Sequence, residues 1–242
     1  LPDFLKEITY LVIQDQELYD IKKNYPDANL IRLPKEIKGI AKTREHIVRL
    51  GDNTIYGMLD DDLEFARRNV DRTTNKKVGN KAQTDMTEQD WKDWFDKVEN
   101  WLTNDYSVCG MRFHAFPPNK KEDIEFQKIS QVYFINGNKF SPNTIKWDIQ
   151  FSEDIYFILQ LLEQGNKTIV SDKYLYRHPD GHFSEGGCSE EGRNQENDYK
   201  TLLEVSKRYP QLFNLDTTNG KYQVNWKKAY RPVEYNEFDK WK

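Results

Sequence analysis

Between residues 8 and 60 the chain alternates short β-rich runs with helical ones, and this alternation restricts it to an α/β architecture. ITYLVI (8–13) and NLIRLP (29–34) read as strands, and QELYDIKKNY between them reads as a helix stopped by Pro26. GIAKTREHIVRL (39–50) follows as a second helix. NTIYGMLD (53–60) is a third strand, apolar on both faces, as expected at the centre of a parallel sheet. The predicted fold is a Rossmann-type, mostly parallel sheet flanked by helices.

Downstream, residues 67–85 are polar and aperiodic and read as a mobile loop carrying Lys76, Lys77 and Lys81. TEQDWKDWFDKVENWL (87–102) is an amphipathic helix. Thr87 and Asp90 resemble a capping box, and Trp91, Trp94, Phe95, Val98 and Leu102 share a face. YSVCGMRF (106–113), ISQVYFIN (129–136) and KTIVSDKYLYRH read as strands. SEDIYFILQLLEQG (152–165) is a helix with Gly165 as its stop, and another helix is predicted over about 195–208 after a polar, Gly-rich loop (180–194).

The third strand runs straight into Asp60-Asp61-Asp62. Three adjacent carboxylates repel one another, so their placement needs a compensating partner. At the C-terminal end of a strand in an open α/β sheet, where ligands bind, a hard divalent cation is such a partner. Oxygen-only donors favour Mg²⁺ or Mn²⁺, which also grip phosphate oxygens. The alternative is an acidic turn in which Asp62 caps a helical turn at 63–68. In the preceding helix Ile40, Arg44 and Ile47 fall on one stripe, and an inward Arg44 requires an acidic or phosphate partner. Otherwise its guanidinium snorkels to the edge.

The start of the 152–165 helix is also acidic. Ser152 is positioned to cap it, with Glu153 and Asp154 in the first turn, where the helix dipole favours anions. Either carboxylate can instead serve as a general base. His178 and His182 lie just beyond a predicted strand; a neutral imidazole there can complete a metal shell, or simply occupy a surface loop. His114 stays open between such roles.

These segments, in this order, resemble the GT-A glycosyltransferases over roughly residues 5–180. The acid triplet resembles the family's DxD metal motif, Glu153-Asp154 its later acidic motif, and His178 its C-terminal metal-binding histidine. Within GT-A enzymes the combination KGIAKTREHIV, YGMLDDDLEF and SEDIYFILQLLEQG is most similar to the TET-associated glycosyltransferases, a group linked to phage and fungal DNA modification. The resemblance implies a nucleotide-sugar donor, expected to be a UDP-sugar, with Mn²⁺ or Mg²⁺ held by Asp60, Asp62 and His178. It also implies Arg44 bracing the diphosphate or the aspartates, Asp154 as base with Glu153 as the alternative, and a 5-hydroxymethylpyrimidine in DNA as acceptor. Gln14 and Glu17, after the first visible strand, stand where base and ribose would be read. YLVIQ resembles the family's second strand; its first has no counterpart, and the chain, opening at Leu1, reads as lacking a segment upstream.

The boundaries expected on this basis are a catalytic domain over 1–180 and an extension over 181–242 that packs on it and lines the acceptor side. A formal charge of −4 argues against a wholly basic nucleic-acid binder but permits local basic patches. Three clusters qualify: Lys76, Lys77 and Lys81; Arg112 with His114 and Phe116; and Trp226, Lys227, Lys228, Tyr230 and Arg231. No run approaches the ~20 apolar residues of a membrane span, and two cysteines, Cys109 and Cys188, are too few for a disulfide framework. The expected location is therefore the cytoplasm, that of the host if the gene is a phage's. The alternatives are a glycosyltransferase acting on a saccharide and, since clustered aspartates also serve two-metal hydrolysis, a nuclease or phosphohydrolase.

Overall fold

The computed structural model describes residues 3–74, 76–178, 194–215 and 222–232. The chain begins with a helical turn, α1 (Asp3–Lys6), then β1 (Tyr10–Ile13), α2 (Leu18–Asn24), β2 (Asn29–Arg32), α3 (Ile40–Leu50) and β3 (Ile55–Leu59). Next come β4 (Glu64–Arg68), β5 (Val70–Asp71), β6 (Lys76–Lys77), β7 (Gln83–Asp85), α4 (Glu88–Asn104), β8 (Tyr106–Phe113), β9 (Asp123–Glu125) and β10 (Val132–Asn136). α5 (Glu153–Glu163), β11 (Lys167–Arg177), α6 (Gln195–Arg208), β12 (Phe213–Leu215), β13 (Tyr222–Val224) and α7 (Trp226–Ala229) complete it.

The α/β character holds, but the central sheet is mixed rather than mostly parallel. It has seven strands, in the order β3-β10-β8-β11-β4-β7 with β9 also on β11, and within it only β8 and β11 run parallel. A parallel neighbour needs a long crossover, usually helical. The stretch from β8 to β11 contains α5 and provides one, as α2 does for the separate parallel pair β1–β2. The remaining neighbours in the large sheet meet antiparallel. β3 is an edge strand, not a central one: its hydrogen-bonded neighbour among the described residues is β10, and Ile55 and Leu59 are exposed. Apolarity on both faces therefore did not mark a central position.

Helices cover both faces of the sheet. On one face α4 packs Trp91, Trp94, Val98 and Leu102 against Cys109, Met111, Phe134 and Tyr174. Its Thr87–Asp90 capping box is formed as expected. On the other, α5 is buried at every position from Ile155 to Leu162, beneath Leu202 and Val205 of α6 and Ala229 of α7. Where β8 meets β10 the backbones leave no room for a side chain: a Cβ on Gly110 would lie 2.4 Å from the Val132 carbonyl oxygen.

The 67–85 segment is not an aperiodic loop. β4 pairs with β7 and β5 with β6, so the backbone groups of this polar segment are satisfied by strand pairing rather than by water. The helical turn at 63–68, which Asp62 would have capped, is instead strand β4.

Candidate functional site

The site is assembled at the C-terminal end of β3 by one arginine. Gly39, at φ 84°, admits the turn that starts α3, and α3 turns Ala41, Arg44 and Val48 inward. Arg44 is buried, 5% exposed. Its Nη2 donates to both carboxylate oxygens of Asp60, at 2.9 and 3.1 Å, and its Nη1 donates to Glu153. The Tyr133 ring lies beneath it, 5.4 Å from the guanidinium carbon. Burial disfavours the Arg44 charge, but Asp60, Tyr133, Glu153 and Asp154 outweigh it and hold its pKa well above the ordinary value. Arg44 does not snorkel; it ties α3, the end of β3 and the start of α5 together.

Asp60 is fixed from the backbone side too, its N–H donating to the Gln131 carbonyl at 3.0 Å. Asp62 points elsewhere. Its Oδ2 lies 3.3 Å from Nδ1 of His178, whose ring packs beside Phe113 and Tyr176. The triplet is thus divided: Asp60 faces Arg44, and Asp62 faces His178. His182 and Cys188 lie outside the described residues, and Cys109 is a buried strand residue.

Glu153 and Asp154 also separate. Glu153 is spent on Arg44, whereas Asp154 accepts Lys128 Nζ at 2.6 Å and the Ile155 N–H at 2.7 Å. Burial alone would raise the Asp154 carboxyl, but Lys128, Arg44 and the Ile155 N–H outweigh it and hold it below the usual carboxylate range. Burial likewise opposes the Lys128 charge, and Asp154 holds it above the ordinary lysine value. Burial pushes the Tyr133 hydroxyl well up; Arg44 opposes this, while Asp154, Glu153 and Asp60 add to it, so all four charges surround one ring.

Ser152 does not cap α5 with its side chain as expected. It adopts the left-handed conformation, φ 58°, a strained choice for a non-glycine residue. Gln131 and Phe126, at φ 66° and 53°, do the same on the segment that delivers Lys128. Sequence reasoning missed Lys128, Tyr133 and the Ser130–Tyr176 hydroxyl contact at 3.0 Å. FQKIS has no spacing signal, because Lys128 meets its partner only through the tertiary fold.

Gln14 and Glu17 bond to each other and to the segment before α3. The Glu17 carboxylate accepts the Gln14 N–H, and the Gln14 amide donates to the Ile37 carbonyl just before α3. His114 donates its backbone N–H to Tyr176, and its carbonyl accepts Gln83. The basic clusters 76–81 and 112–121 approach each other through Arg72, which donates to the Asn119 and Lys121 carbonyls. Of the third cluster, Trp226 and Lys227 instead border a cavity of ≈ 610 Å³ with Phe126 and Gln127.

A metal needs donors at the right mutual distance. Asp62 and His178 qualify, since two donors about 2.1 Å from one octahedral ion lie about 3 Å apart. Asp60 has both oxygens engaged by Arg44, and among the described residues no three His, Cys, Asp or Glu side chains converge on one point. Asp62 and His178 are thus two donors that a divalent ion could use, short of a three-residue metal cluster among the described residues.

A family model described as TET-Associated Glycosyltransferase matches residues 5–187, a range that includes Arg44, Asp60, Asp62, Lys128, Glu153, Asp154 and His178. The chain is 22% identical over 220 residues to the β-glucosyl-HMC-α-glucosyl-transferase of Enterobacteria phage T2, spanning 87% of this chain and 75% of that one. It matches the protein of the same name from Enterobacteria phage T6 with the same identity and coverage. No solved structure matches it. Among the described residues no helix is long and apolar enough to cross a membrane.

Proposed function

Because the chain belongs to the TET-associated glycosyltransferases, we propose that it moves a sugar from a nucleotide-sugar, a UDP-sugar by preference, to a hydroxyl carried by a hydroxymethylated pyrimidine in DNA. The observation that carries this reading is the Arg44–Asp60–Glu153 tie. It joins the end of β3 to the start of α5, and the reading is supported by Asp154 lying next to Glu153 and the Asp62–His178 pair two residues beyond Asp60, all within the matched family range. In this reading the fold is a GT-A arrangement acting in the host cytoplasm.

In the transfer, the acceptor oxygen bonds to the anomeric carbon, and the bond from that carbon to the diphosphate oxygen breaks. The diphosphate leaves with the electron pair. Asp154 takes the acceptor proton, and Lys128 keeps it ionised and oriented. Asp62 and His178 would hold a divalent ion, which when bound neutralises charge on the diphosphate. Arg44 keeps Asp60 and Glu153 in place around the donor.

The relatives' name favours a second acceptor, a sugar hydroxyl already attached to the base. One assay decides between the two. Labelled UDP-sugars are offered to duplexes that are unmodified, hydroxymethylated at cytosine, or glucosylated at the hydroxymethyl group. Transfer to hydroxymethylated DNA alone supports the first acceptor, and transfer to glucosylated DNA alone supports the second. A protein that hydrolyses a nucleotide-sugar yet labels none of them acts on a non-DNA acceptor, and the DNA reading is then wrong.

The metal role has its own test. A nucleotide-sugar at 100 times its dissociation constant should stabilise the protein by about 2.7 kcal/mol. With Mn²⁺ present, Asp62→Ala should remove the metal-dependent part of that stabilisation in a thermal-shift titration and leave the fold intact, because Asp62 is an exposed side chain. An unchanged Mn²⁺ response would remove Asp62 from the metal site.

A further inference from the structure

Beyond the transfer site, a second polar concavity remains without a role. It measures ≈ 720 Å³ and lies between the β4–β7 hairpins and the bulge of β11. Its lining includes Arg67, Arg68, Arg72, Lys81 and Lys173 against a single carboxylate, Glu122. In a chain with a net charge of −4 such a concentration of cations is a local exception.

The arginines are prearranged by one buried anion. The register of β11 on β8 jumps between Ser171 and Leu175, so residues 172–174 bulge out of the ladder. The bulge buries Asp172 completely. Its carboxylate accepts Arg112 at 2.7 Å, Arg72 at 2.8 Å and the Asn119 N–H at 2.9 Å, while Arg68 Nε donates to its carbonyl at 3.1 Å. Three guanidiniums sharing one carboxylate keep an excess of positive charge. Arg67 is matched by Asp90, and Glu122 by Lys97. Lys81 and Lys173 make no ion pair among the described residues, and the Lys173 ammonium rests over the Tyr174 ring. Asp172 alone would serve as a loop staple, but a staple does not require two further lysines beside it on the cavity wall. Fixed guanidinium groups that together outnumber the carboxylate they share are suited to phosphate oxygens.

The position fits a polymer that passes through the transfer site. β4 runs from the Asp62 end directly to Arg68. Six residues at about 3.3 Å each put the pocket about 20 Å from the acids, or about six steps along a nucleic-acid strand. A base drawn out of its stack for modification leaves the flanking backbone to be held elsewhere. We propose that this pocket grips the phosphodiester backbone of the acceptor DNA some distance from the modified base. The assignment rests on the DNA reading above and adds to it where the duplex is anchored.

The test uses the full chain with duplex DNA containing hydroxymethylated or glucosylated cytosine, over a series of salt concentrations. Lys81→Gln with Lys173→Gln should lower the slope of log K against log salt by roughly 2, since each lost phosphate contact removes about 0.9. Nucleotide-sugar binding, read by thermal shift without DNA, should not change. Arg72→Lys, which keeps the charge, should keep the salt slope. A wild-type slope in the double variant, from a protein that still transfers sugar to modified DNA, overturns the pocket and leaves the DNA reading intact. Wild-type protein that neither binds nor modifies DNA refutes both. Equal competition by polyglutamate and by duplex at matched charge also overturns the pocket, because the site would then be a generic anion trap.

Discussion

Asp154→Asn should lower turnover about 10²–10⁴-fold, the contribution expected of a positioned general base, while changing stability little. Asparagine retains an acceptor for the Ile155 N–H, and Lys128, with its side chain about a third exposed, regains water when its partner loses charge. The pH dependence follows from the direction of the shift. Asp154 is held below the usual carboxylate value near 3.9, so its ion pair contributes stability above that pH and loses it as pH falls through the depressed folded value. The base is therefore already ionised throughout the neutral range, and its acid limb in kcat/KM should lie below about pH 4. Stopped assays with a nucleotide-sugar and modified duplex, together with the anomeric configuration of the product by NMR, decide the matter. A base at Asp154 goes with inversion. Retention, as an α-linked product from an α-linked donor would show, sends the proton to the departing diphosphate. Asp154→Asn would then stay within about tenfold of wild type and the assignment would fall.

Arg44→Met should be the most destabilising single change at the site. It takes Arg44 away from Glu153, which is 5% exposed, and removing one member of a buried ion pair costs about 3–5 kcal/mol. It also releases Asp60 from a two-bond grip, so nucleotide-sugar affinity should fall in parallel. Arg44→Lys should be intermediate, because one ammonium cannot span Glu153 and Asp60 in the geometry of a planar fork. The decisive comparison is the double variant Arg44→Met with Glu153→Gln. It should recover part of the loss in urea denaturation, since the buried Glu153 charge is removed along with the cation opposite it. Equal stability of Arg44→Met and wild type would show that the tie contributes nothing.

Several elements of this site are local in origin and were legible from the sequence. The alternation before residue 60, the amphipathic stripe of α4 and its Thr87–Asp90 box depend on neighbours a few positions away, and each formed where expected. The inward direction of Arg44 was legible, although the buried stripe of α3 is Ala41, Arg44 and Val48 and the expected Ile40 and Ile47 are only partly buried; the acids at the strand end and helix start followed from their patterns. What those acids do was not legible. Asp60, Asp62, Glu153 and Asp154 have identical or near-identical chemistry, and nothing nearby in sequence tells them apart. The fold separates them by supplying Arg44 to Asp60 and Glu153, His178 to Asp62 and Lys128 to Asp154.

The same distinction applies to the sheet and the basic pocket. Period-two and period-3.6 patterns are set by single segments, so strands and helices could be read from them. Strand order and direction depend on which segments pair across long separations, and so the centre assigned to β3 became an edge and the parallel sheet became mixed. The basic pocket needs Arg68 and Arg72, Arg112 and Asp172, which are far apart in the chain and meet only because β11 bulges between β4 and β8. The sequence by itself determined the elements and the supply of charged groups. The tertiary structure decided which charge each one faces, because ion pairing depends on distances of a few ångströms that only long-range strand pairing and helix packing create.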